Sequence, residues 1–310
     1  MTQFAFVFPG QGSQAIGMLD AFADNPAVQA TVAEASDALG LDLGALIAAG
    51  PKEALDLTTN TQPVMLTAGV AFYRAWLAAG GAVPALVAGH SLGEYSALVA
   101  AGALSFADAV PLVRFRAEAM QQAVPVGQGG MAAILGLSDA DVRAACAEAA
   151  QGEVVEAVNY NAPAQVVIAG HKGAVDRACE VAKAKGAKRA LLLSVSAPFH
   201  SSLLKPASQR LQEYLSKVTF KVPQIAMINN VDVAIETNPG AICDALVRQA
   251  ASPVRWVETV QLMAARGITH VVECGPGKVL TGLTKRIDPA LTGEALFEPA
   301  AIPKLMELLK

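Results

Sequence analysis

The chain has 310 residues, of which 53% are hydrophobic and 16% charged, and this composition excludes a disordered or collagen-like protein. Its formal net charge of −4 provides no basic surface of the kind that neutralises nucleic-acid phosphates, so we expect no nucleic-acid partner. The four cysteines are scattered without a CxxC spacing, which indicates buried reduced thiols and no metal site.

Neither the amino terminus nor the uncharged stretch 75–93 indicates export or membrane insertion. Met1-Thr2-Gln3-Phe4 lacks the basic region of a signal peptide, and Pro9-Gly10 ends the apolar run that follows. Gly80-Gly81 and Pro84 interrupt the uncharged stretch where a spanning helix would need continuity. We therefore expect a cytoplasmic protein without membrane contact.

Apolar runs of strand length alternate with longer helical patterns through most of the chain. Because such alternation is typical of a parallel sheet covered by helices, the sequence predicts an α/β fold. In chain order the predicted elements are a strand at 4–8, a helix at 62–77, a strand at 84–88, helices at 92–101, 106–123 and 203–215, a strand at 224–228, a helix at 239–250 and a strand at 269–273.

Residues 131–195 follow a different order, which predicts an inserted α+β unit. The predicted elements are strands at 131–137, 154–158, 165–169 and 189–195, with helices at 139–149 and 174–185. This β-α-β-β-α-β order is that of the ferredoxin-like unit. Gly127-Gln128-Gly129-Gly130 and Ser196-Ala197-Pro198 are the predicted hinges. We therefore predict a large catalytic domain at 1–126 and 198–310 with a subdomain at 127–197.

The pentapeptide Gly89-His90-Ser91-Leu92-Gly93 lies between a predicted strand and a predicted helix. It matches the G-x-S-x-G nucleophile elbow in its required context, where a sharp turn raises the serine hydroxyl above the sheet. The helix that follows directs N–H groups towards developing negative charge. We predict that Ser91 is a nucleophile; the alternative is a glycine-rich turn with a helix-capping serine.

A serine hydroxyl needs a base within hydrogen-bond reach, and histidine is best matched to neutral pH. Of the four histidines, His90 lies inside the elbow, His171 follows a predicted strand of the insert, and His270 falls at or inside a buried strand. His200 lies at a strand-to-helix junction, where the carboxyl ends of parallel strands gather active sites. We therefore predict that His200 is the base for Ser91.

An acid that would orient this histidine is missing from the expected part of the sequence. In an ordinary α/β-hydrolase it lies between serine and histidine, but Asp139, Asp141 and Asp176 all fall in the predicted insert. A backbone carbonyl is the alternative partner. The pattern therefore disfavours a lipase or esterase.

Two glycine-rich segments partly match nucleotide-binding motifs. Gly10-Gln11-Gly12 follows the first predicted strand, but 27–39 has a helical pattern where the second strand of a dinucleotide fold would be needed. A glycine-flanked loop at that position can instead direct an N–H group towards an oxyanion. Gly275-Pro276-Gly277-Lys278 lacks the remainder of a P-loop and predicts a turn.

Five separated motifs make the chain similar to the malonyl-CoA:acyl carrier protein transacylases of fatty-acid synthesis and to the related acyltransferase domains of polyketide synthases. They are Phe8 to Gln14, Thr61-Gln62-Pro63, Gly89 to Glu94, Arg116 to Gln121, and Pro198-Phe199-His200-Ser201. Two further motifs, at 159–165 and 273–280, extend the resemblance over residues 4–287. The resemblance implies an α/β-hydrolase-like large domain with a ferredoxin-like insert.

The same resemblance implies a role for each matching residue of the reaction centre. Ser91 would carry the acyl group, and His200 would act as general base and acid. Gln11 and Leu92 would supply the oxyanion N–H groups, and Gln249 would offer its main-chain carbonyl to His200. No metal and no permanently bound cofactor is implied, because malonyl-CoA enters as a substrate.

Substrate selection is also implied by matching positions. Arg116 would hold the malonyl carboxylate through its planar guanidinium, while Gln62 and His90 would line the pocket. Phe199 is typical of relatives that select malonyl, whereas serine is typical there of relatives that select methylmalonyl. Ala117 departs from the glycine of many relatives, and we expect a small effect.

The expected reaction is a ping-pong transfer to the phosphopantetheine thiol of an acyl carrier protein. Such carriers are acidic, so basic residues at Lys188-Arg189 and Lys285-Arg286 are candidates for docking, the alternative being ordinary solvated charge. We expect a monomer. The alternatives are an acyltransferase of a polyketide pathway, a serine thioesterase or esterase using the same pair, and a non-enzymatic acyl-binding module.

Overall fold

The computed structural model describes residues 2–195 and 197–310. Its strands are β1 Phe4–Phe8, β2 Leu86–Gly89, β3 Gly129–Leu135, β4 Val155–Ala162, β5 Gln165–His171, β6 Arg189–Leu192, β7 Ala226–Ile228, β8 His270–Cys274 and β9 Thr292–Leu296. Its helices are α1 Pro26–Leu39, α2 Leu43–Ala49, α3 Lys52–Leu55, α4 Thr58–Ala78, α5 Gly93–Ala100, α6 Phe106–Gln122, α7 Asp139–Ala150, α8 Lys172–Ala184, α9 Lys205–Leu215, α10 Pro239–Gln249, α11 Trp256–Ala265, α12 Val279–Ile287 and α13 Ala301–Leu308.

The larger sheet is parallel, with the strand order β7-β2-β1-β8-β9. Strand β1 is buried along its whole length because apolar layers cover both faces of the sheet. Alternate side chains of a strand point to opposite faces. Accordingly, Phe4, Phe6 and Phe8 enter one core cluster, whereas Ala5 and Val7 enter another. The predicted parallel α/β architecture is confirmed.

The smaller sheet is antiparallel and has the order β4-β5-β3-β6. With α7 and α8 it follows the β-α-β-β-α-β sequence of a ferredoxin-like unit. It has its own core, in which Ile134, Val142 and Ile168 pack together. The predicted fold class is therefore confirmed. Ser196, part of the predicted return hinge, lies outside the described residues.

Backbone and side-chain contacts hold the small sheet against the larger domain. Tyr160 N–H donates to the Val254 carbonyl at 3.0 Å, and Val254 N–H donates to the Val158 carbonyl at 2.8 Å. The carboxylate of Glu156 accepts from the backbone N–H and the hydroxyl of Ser202, at 2.7 and 2.8 Å. These contacts fix the position of the small sheet relative to the larger one.

The elements differ from the sequence prediction at several places, including the end of β6 and the start of α9. Strand β6 ends at Leu192, earlier than predicted, because its ladder with β3 stops at the pair Ala132 and Leu192. The helix predicted from 203 begins as a 3-10 turn at Ser202–Leu204 and becomes α-helical at Lys205. Within residues 2–195 and 197–310, no helix is both long and apolar enough to span a membrane.

Candidate active site

The loop that carries Ser91 is a sharp turn between β2 and α5. Ser91 has φ 52°, a left-handed conformation that is unfavourable for residues with a Cβ atom. A Cβ atom at Gly89 would lie 1.9 Å from the carbonyl carbon of Gly93, and one at Gly93 would lie 2.0 Å from the carbonyl oxygen of Phe8. Only glycine therefore fits two residues before and two residues after the serine, which is the geometry predicted for a nucleophile elbow.

Ser91 and His200 form a hydrogen-bonded pair, with 2.6 Å between Ser91 Oγ and His200 Nε2. The other ring nitrogen, His200 Nδ1, lies 2.9 Å from the main-chain carbonyl oxygen of Gln249. Because a carbonyl can only accept, Nδ1 carries the proton and Nε2 is left as the acceptor for the serine hydroxyl. The pair is thus arranged for removal of the serine proton, without an acidic third member.

The imidazole of His200 is buried, with 3% of the residue exposed. Burial, together with the positive charge of Arg116, lowers the pKa of His200 from 6.5 to about 3. The hydrogen bond from Nδ1 to the Gln249 carbonyl opposes this shift. His200 is therefore neutral at physiological pH and available to accept a proton.

Arg116, on α6, places a buried guanidinium beside Ser91. Its Nη1 donates to Gln62 Oε1 at 2.8 Å, and its Nη2 donates to Gln249 Oε1 at 2.8 Å and to Ser91 Oγ at 3.2 Å. Arg116 is only 1% exposed, and in the described part of the chain no carboxylate forms an ion pair with it. A buried cation held only by neutral groups is a favourable place for an anionic ligand.

A second layer of polar contacts holds the serine turn from behind, formed by Asn230, Glu94 and the side chain of Gln249, and sequence reasoning assigned none of these three groups a role. Asn230 Oδ1 accepts from Ser91 N–H at 2.7 Å, and Asn230 Nδ2 donates to the Gly89 carbonyl at 2.7 Å. Glu94 Oε2 accepts from Asn230 N–H at 3.0 Å and from Gln249 Nε2 at 2.9 Å. Gln249 Nε2 also donates to the Ser91 carbonyl, at 2.9 Å. These bonds fix the strained backbone of Ser91.

A cavity of about 230 Å³ opens in front of Ser91. The predicted site residues that line it are Gln11, Gln62, His90, Ser91, Leu92, Arg116, Phe199 and His200. Met131 and Val167 of the small sheet form part of its apolar wall. Gln249 is not among these lining residues, although it reaches His200 through its carbonyl. The cleft is thus largely apolar with a few convergent polar groups, as is common for ligand sites.

His90 lines the cavity from the elbow itself, and its orientation is fixed by the small sheet. His90 Nε2 lies 2.8 Å from Asn161 Oδ1 at the end of β4. Burial lowers the pKa of His90, so the ring is neutral. Because an amide oxygen can only accept, Nε2 donates in this pair.

The four basic residues predicted for docking are exposed and do not line this cavity. Arg286 is engaged within the chain, because its guanidinium donates to the Gln165 side chain and to the Pro163 carbonyl. This contact joins α12 to the β4–β5 turn. In the described part of the chain, the side chains of Lys188, Arg189 and Lys285 form no hydrogen bond or ion pair, so the four residues are not equivalent as docking candidates.

An α/β fold with a serine elbow, a histidine base and a backbone carbonyl as the third member defines a serine-dependent acyl-transfer site. Residues 5–288 match the family model described as the acyl transferase domain, and the chain belongs to this family.

Relatives over the full length agree with this assignment. The chain is 60% identical to "Malonyl CoA-acyl carrier protein transacylase" of Escherichia coli (strain K12), over 99% of this chain and 100% of that protein. An acyl-carrier-protein S-malonyltransferase from Burkholderia pseudomallei 1710b is 68% identical, with a TM-score of 0.98 over 99% of this chain and 100% of that one. A malonyl-transacylase in complex with its type II polyketide acyl-carrier protein is 52% identical, with a TM-score of 0.98 over 99% of this chain and 100% of that one.

Proposed function

We propose that the protein transfers the malonyl group of malonyl-CoA to the phosphopantetheine thiol of an acyl carrier protein. The observation that carries this function is the position of Ser91 Oγ, 2.6 Å from a neutral histidine nitrogen and 3.2 Å from a buried arginine nitrogen. In a malonyl ester on Ser91, two carbon atoms would separate the serine oxygen from the carboxylate, which would then lie within reach of Arg116. The names of the full-length relatives point to the same reaction.

In the first half-reaction, Ser91 Oγ attacks the thioester carbonyl while its proton passes to His200 Nε2. The negative charge on the carbonyl oxygen would be stabilised by the backbone N–H groups of Gln11 and Leu92. When this intermediate collapses, the carbon–sulfur bond breaks and the coenzyme A sulfur takes the proton from His200. The products are free coenzyme A and a malonyl ester of Ser91.

In the second half-reaction, the carrier thiol gives its proton to His200 Nε2 and attacks the ester carbonyl. The bond to Ser91 Oγ breaks, and the serine oxygen recovers the proton from His200. Water must be excluded from the ester meanwhile, and the apolar wall that includes Met131 and Phe199 supports this role. Phe199 also limits the space available for a substituent on the malonyl carbon.

The reaction supplies malonyl units to fatty-acid biosynthesis. A polyketide pathway is the second candidate, favoured by the 52% identity to a malonyl-transacylase in complex with its type II polyketide acyl-carrier protein. We further propose a cytoplasmic monomer that binds no nucleic acid and keeps no cofactor between turnovers. The proposed division of the chain is a large domain at 1–126 and 198–310 and a subdomain at 127–197.

Intact-protein mass spectrometry after brief incubation with malonyl-CoA tests the proposal. We expect a malonyl adduct on the wild-type protein and none on Ser91→Ala. Addition of holo carrier protein should then remove the adduct from the wild type. Rapid release of free malonate in the presence of the carrier would instead identify a thioesterase. Absence of both adduct and malonate would overturn the proposed donor.

A further inference from the structure

We propose that Glu94 is a positioning residue for the malonyl carboxylate, acting through the side chain of Gln249 on Arg116. The proposal rests on the proposed function, because it concerns how that site distinguishes malonyl from uncharged acyl groups. It is carried by a continuous chain of buried hydrogen bonds from Glu94 Oε2 to Gln249 Nε2, and from Gln249 Oε1 to Arg116 Nη2.

The Gln249 amide has one favourable orientation in this chain. Its Nε2 faces two acceptors, Glu94 Oε2 and the Ser91 carbonyl, each at 2.9 Å, while its Oε1 faces the Arg116 cation at 2.8 Å. If the amide were rotated by half a turn, its oxygen would face a carboxylate and a carbonyl, and its NH₂ group would face a guanidinium. Every one of these contacts would be repulsive, so Glu94 and Arg116 together determine the orientation.

The orientation matters because Gln249 is one of two amides that hold Arg116. Gln62 Oε1 accepts from Nη1 and Gln249 Oε1 accepts from Nη2, and the two bonds fix the plane of the guanidinium. A guanidinium grips a carboxylate with two parallel N–H groups only when that plane is correct. A small rotation of Arg116 would therefore weaken binding of a malonyl carboxylate more than binding of an acyl group that lacks one.

Charge and burial support the same role. Glu94 and Arg116 are each 1% exposed, and their charges act on one another across the Gln249 amide without forming an ion pair. Burial raises the pKa of Glu94 to about 7, while hydrogen bonds from Gln249 and Asn230 and the charge of Arg116 oppose the rise. Asp232 is a further acidic group whose charge raises the pKa. Burial thus makes the ionised carboxylate unfavourable, and the hydrogen bonds from Gln249 and Asn230 offset part of that cost.

The test compares malonyl and acetyl loading of Ser91 in wild type and Glu94→Gln, by rapid-quench intact-protein mass spectrometry at about pH 8, where Glu94 is mostly ionised. We expect malonyl loading to slow about tenfold, since one charged acceptor is lost. Acetyl loading should slow less, because the introduced amide oxygen can still accept from Asn230 N–H behind the serine turn. Glu273→Gln is the matched control, because Glu273 is also a buried carboxylate but bonds to Thr281 at 2.8 Å. It should leave the ratio of malonyl to acetyl loading unchanged.

A double-variant cycle separates positioning from a general structural effect. If Glu94 acts through Arg116, Glu94→Gln should add little to the malonyl defect of Arg116→Ala. Glu94→Asp retains the charge and should recover part of the malonyl rate; it also carries the test if Glu94→Gln does not fold. Equal slowing of malonyl and acetyl loading, or full additivity in the cycle, would overturn the inference alone. Failure of the wild type to load malonyl would overturn both the inference and the proposed function.

Discussion

Arg116 Nη2 lies 3.2 Å from Ser91 Oγ, the same oxygen that lies 2.6 Å from His200 Nε2. The cation is thus close enough to hold a substrate carboxylate and also to lower the pKa of the base. A carboxylate that pairs with Arg116 would offset this second effect. We therefore expect His200 to be more basic after malonyl binds than in the free enzyme.

Replacing Arg116 by alanine should selectively impair the transfer of malonyl. Loss of one partner from a buried charge pair costs about 2–5 kcal/mol, which corresponds to a decrease of roughly thirtyfold to several thousandfold in malonyl loading. Acetyl loading should fall much less. Arg114→Ala on the same helix is the control, because Arg114 is partly exposed and pairs with Glu118. Equal loss of malonyl and acetyl loading would contradict a role in carboxylate binding.

The pH dependence of loading should reflect the lowered pKa of His200. Because His200 remains neutral at pH values well below 6.5, the rate at which the free enzyme is loaded should not change in a step near pH 6.5. A shallow step near pH 7 that disappears in Glu94→Gln would belong to Glu94. Single-turnover loading measured from about pH 5 to about pH 8 gives the profile. A step near 6.5 that persists in Glu94→Gln would show that His200 has an ordinary pKa.

Stability should also depend on pH through Glu94. Its pKa rises from 4.5 in the unfolded chain to about 7 in the fold, so the folded state holds the proton more tightly. Relative to the ionised form, protonated Glu94 therefore stabilises the folded state. This stabilisation is fully present below pH 4.5 and is lost as the pH rises through 7, and each unit of pKa difference corresponds to about 1.4 kcal/mol. Glu94→Gln should therefore become more stable relative to wild type between about pH 5 and pH 8. Urea unfolding at the two pH values measures the difference, and an unchanged difference would contradict the raised pKa.

The glycines of the elbow should not tolerate alanine. Gly89→Ala would place a Cβ atom 1.9 Å from backbone atoms of Gly93, which requires the turn to open and should cost several kcal/mol, about 3 or more. Gly282→Ala is the matched control on α12, because a Cβ atom there meets no atom within 4 Å. It should be neutral or stabilising by about 0.5–1 kcal/mol. Thermal unfolding of both variants, with loading assays, tests the comparison.

Reversal of the exposed charges at Lys188, Arg189 and Lys285 should slow transfer to the carrier and leave loading from malonyl-CoA unchanged. Carriers of this kind are acidic, so reversed charges would repel them during encounter. Arg286→Glu should be made separately, because it also breaks the contacts to Pro163 and Gln165. Carrier-dependent discharge measured at two salt concentrations tests docking, and an unaltered rate in the triple variant would refute it.

The sequence was most informative where chemistry depends on local spacing. The elbow around Ser91 was predictable because its glycines, strand and helix are contiguous, and β1 because five consecutive apolar residues are buried by layers on both faces. His200 was predictable as the base because the other three histidines could be eliminated by their positions. Its pairing with Ser91 links positions 109 residues apart, but the strand-to-helix pattern brought both to the same edge of the sheet.

The polar layer behind the nucleophile was not predictable from spacing. Asn230 bonds to Ser91 across 139 residues, and an asparagine after a short strand has no signal that distinguishes it from a turn residue. Gln249 was found only through the family resemblance, because a main-chain carbonyl is present at every position. The tie of Arg286 to the β4–β5 turn was also missed, since an exposed basic side chain is equally compatible with free solvation.

The left-handed backbone of Ser91 and His200 has a consequence for the folding equilibrium. Ser91 has φ 52° and His200 has φ 65°, and each such conformation costs about 1–2 kcal/mol for a residue with a Cβ atom. Glycine at position 91 would relieve that local energy while removing the nucleophile. The catalytically dead Ser91→Gly chain is therefore expected to unfold at a higher temperature than the active one, so selection for thermal tolerance alone would favour loss of the Ser91 hydroxyl.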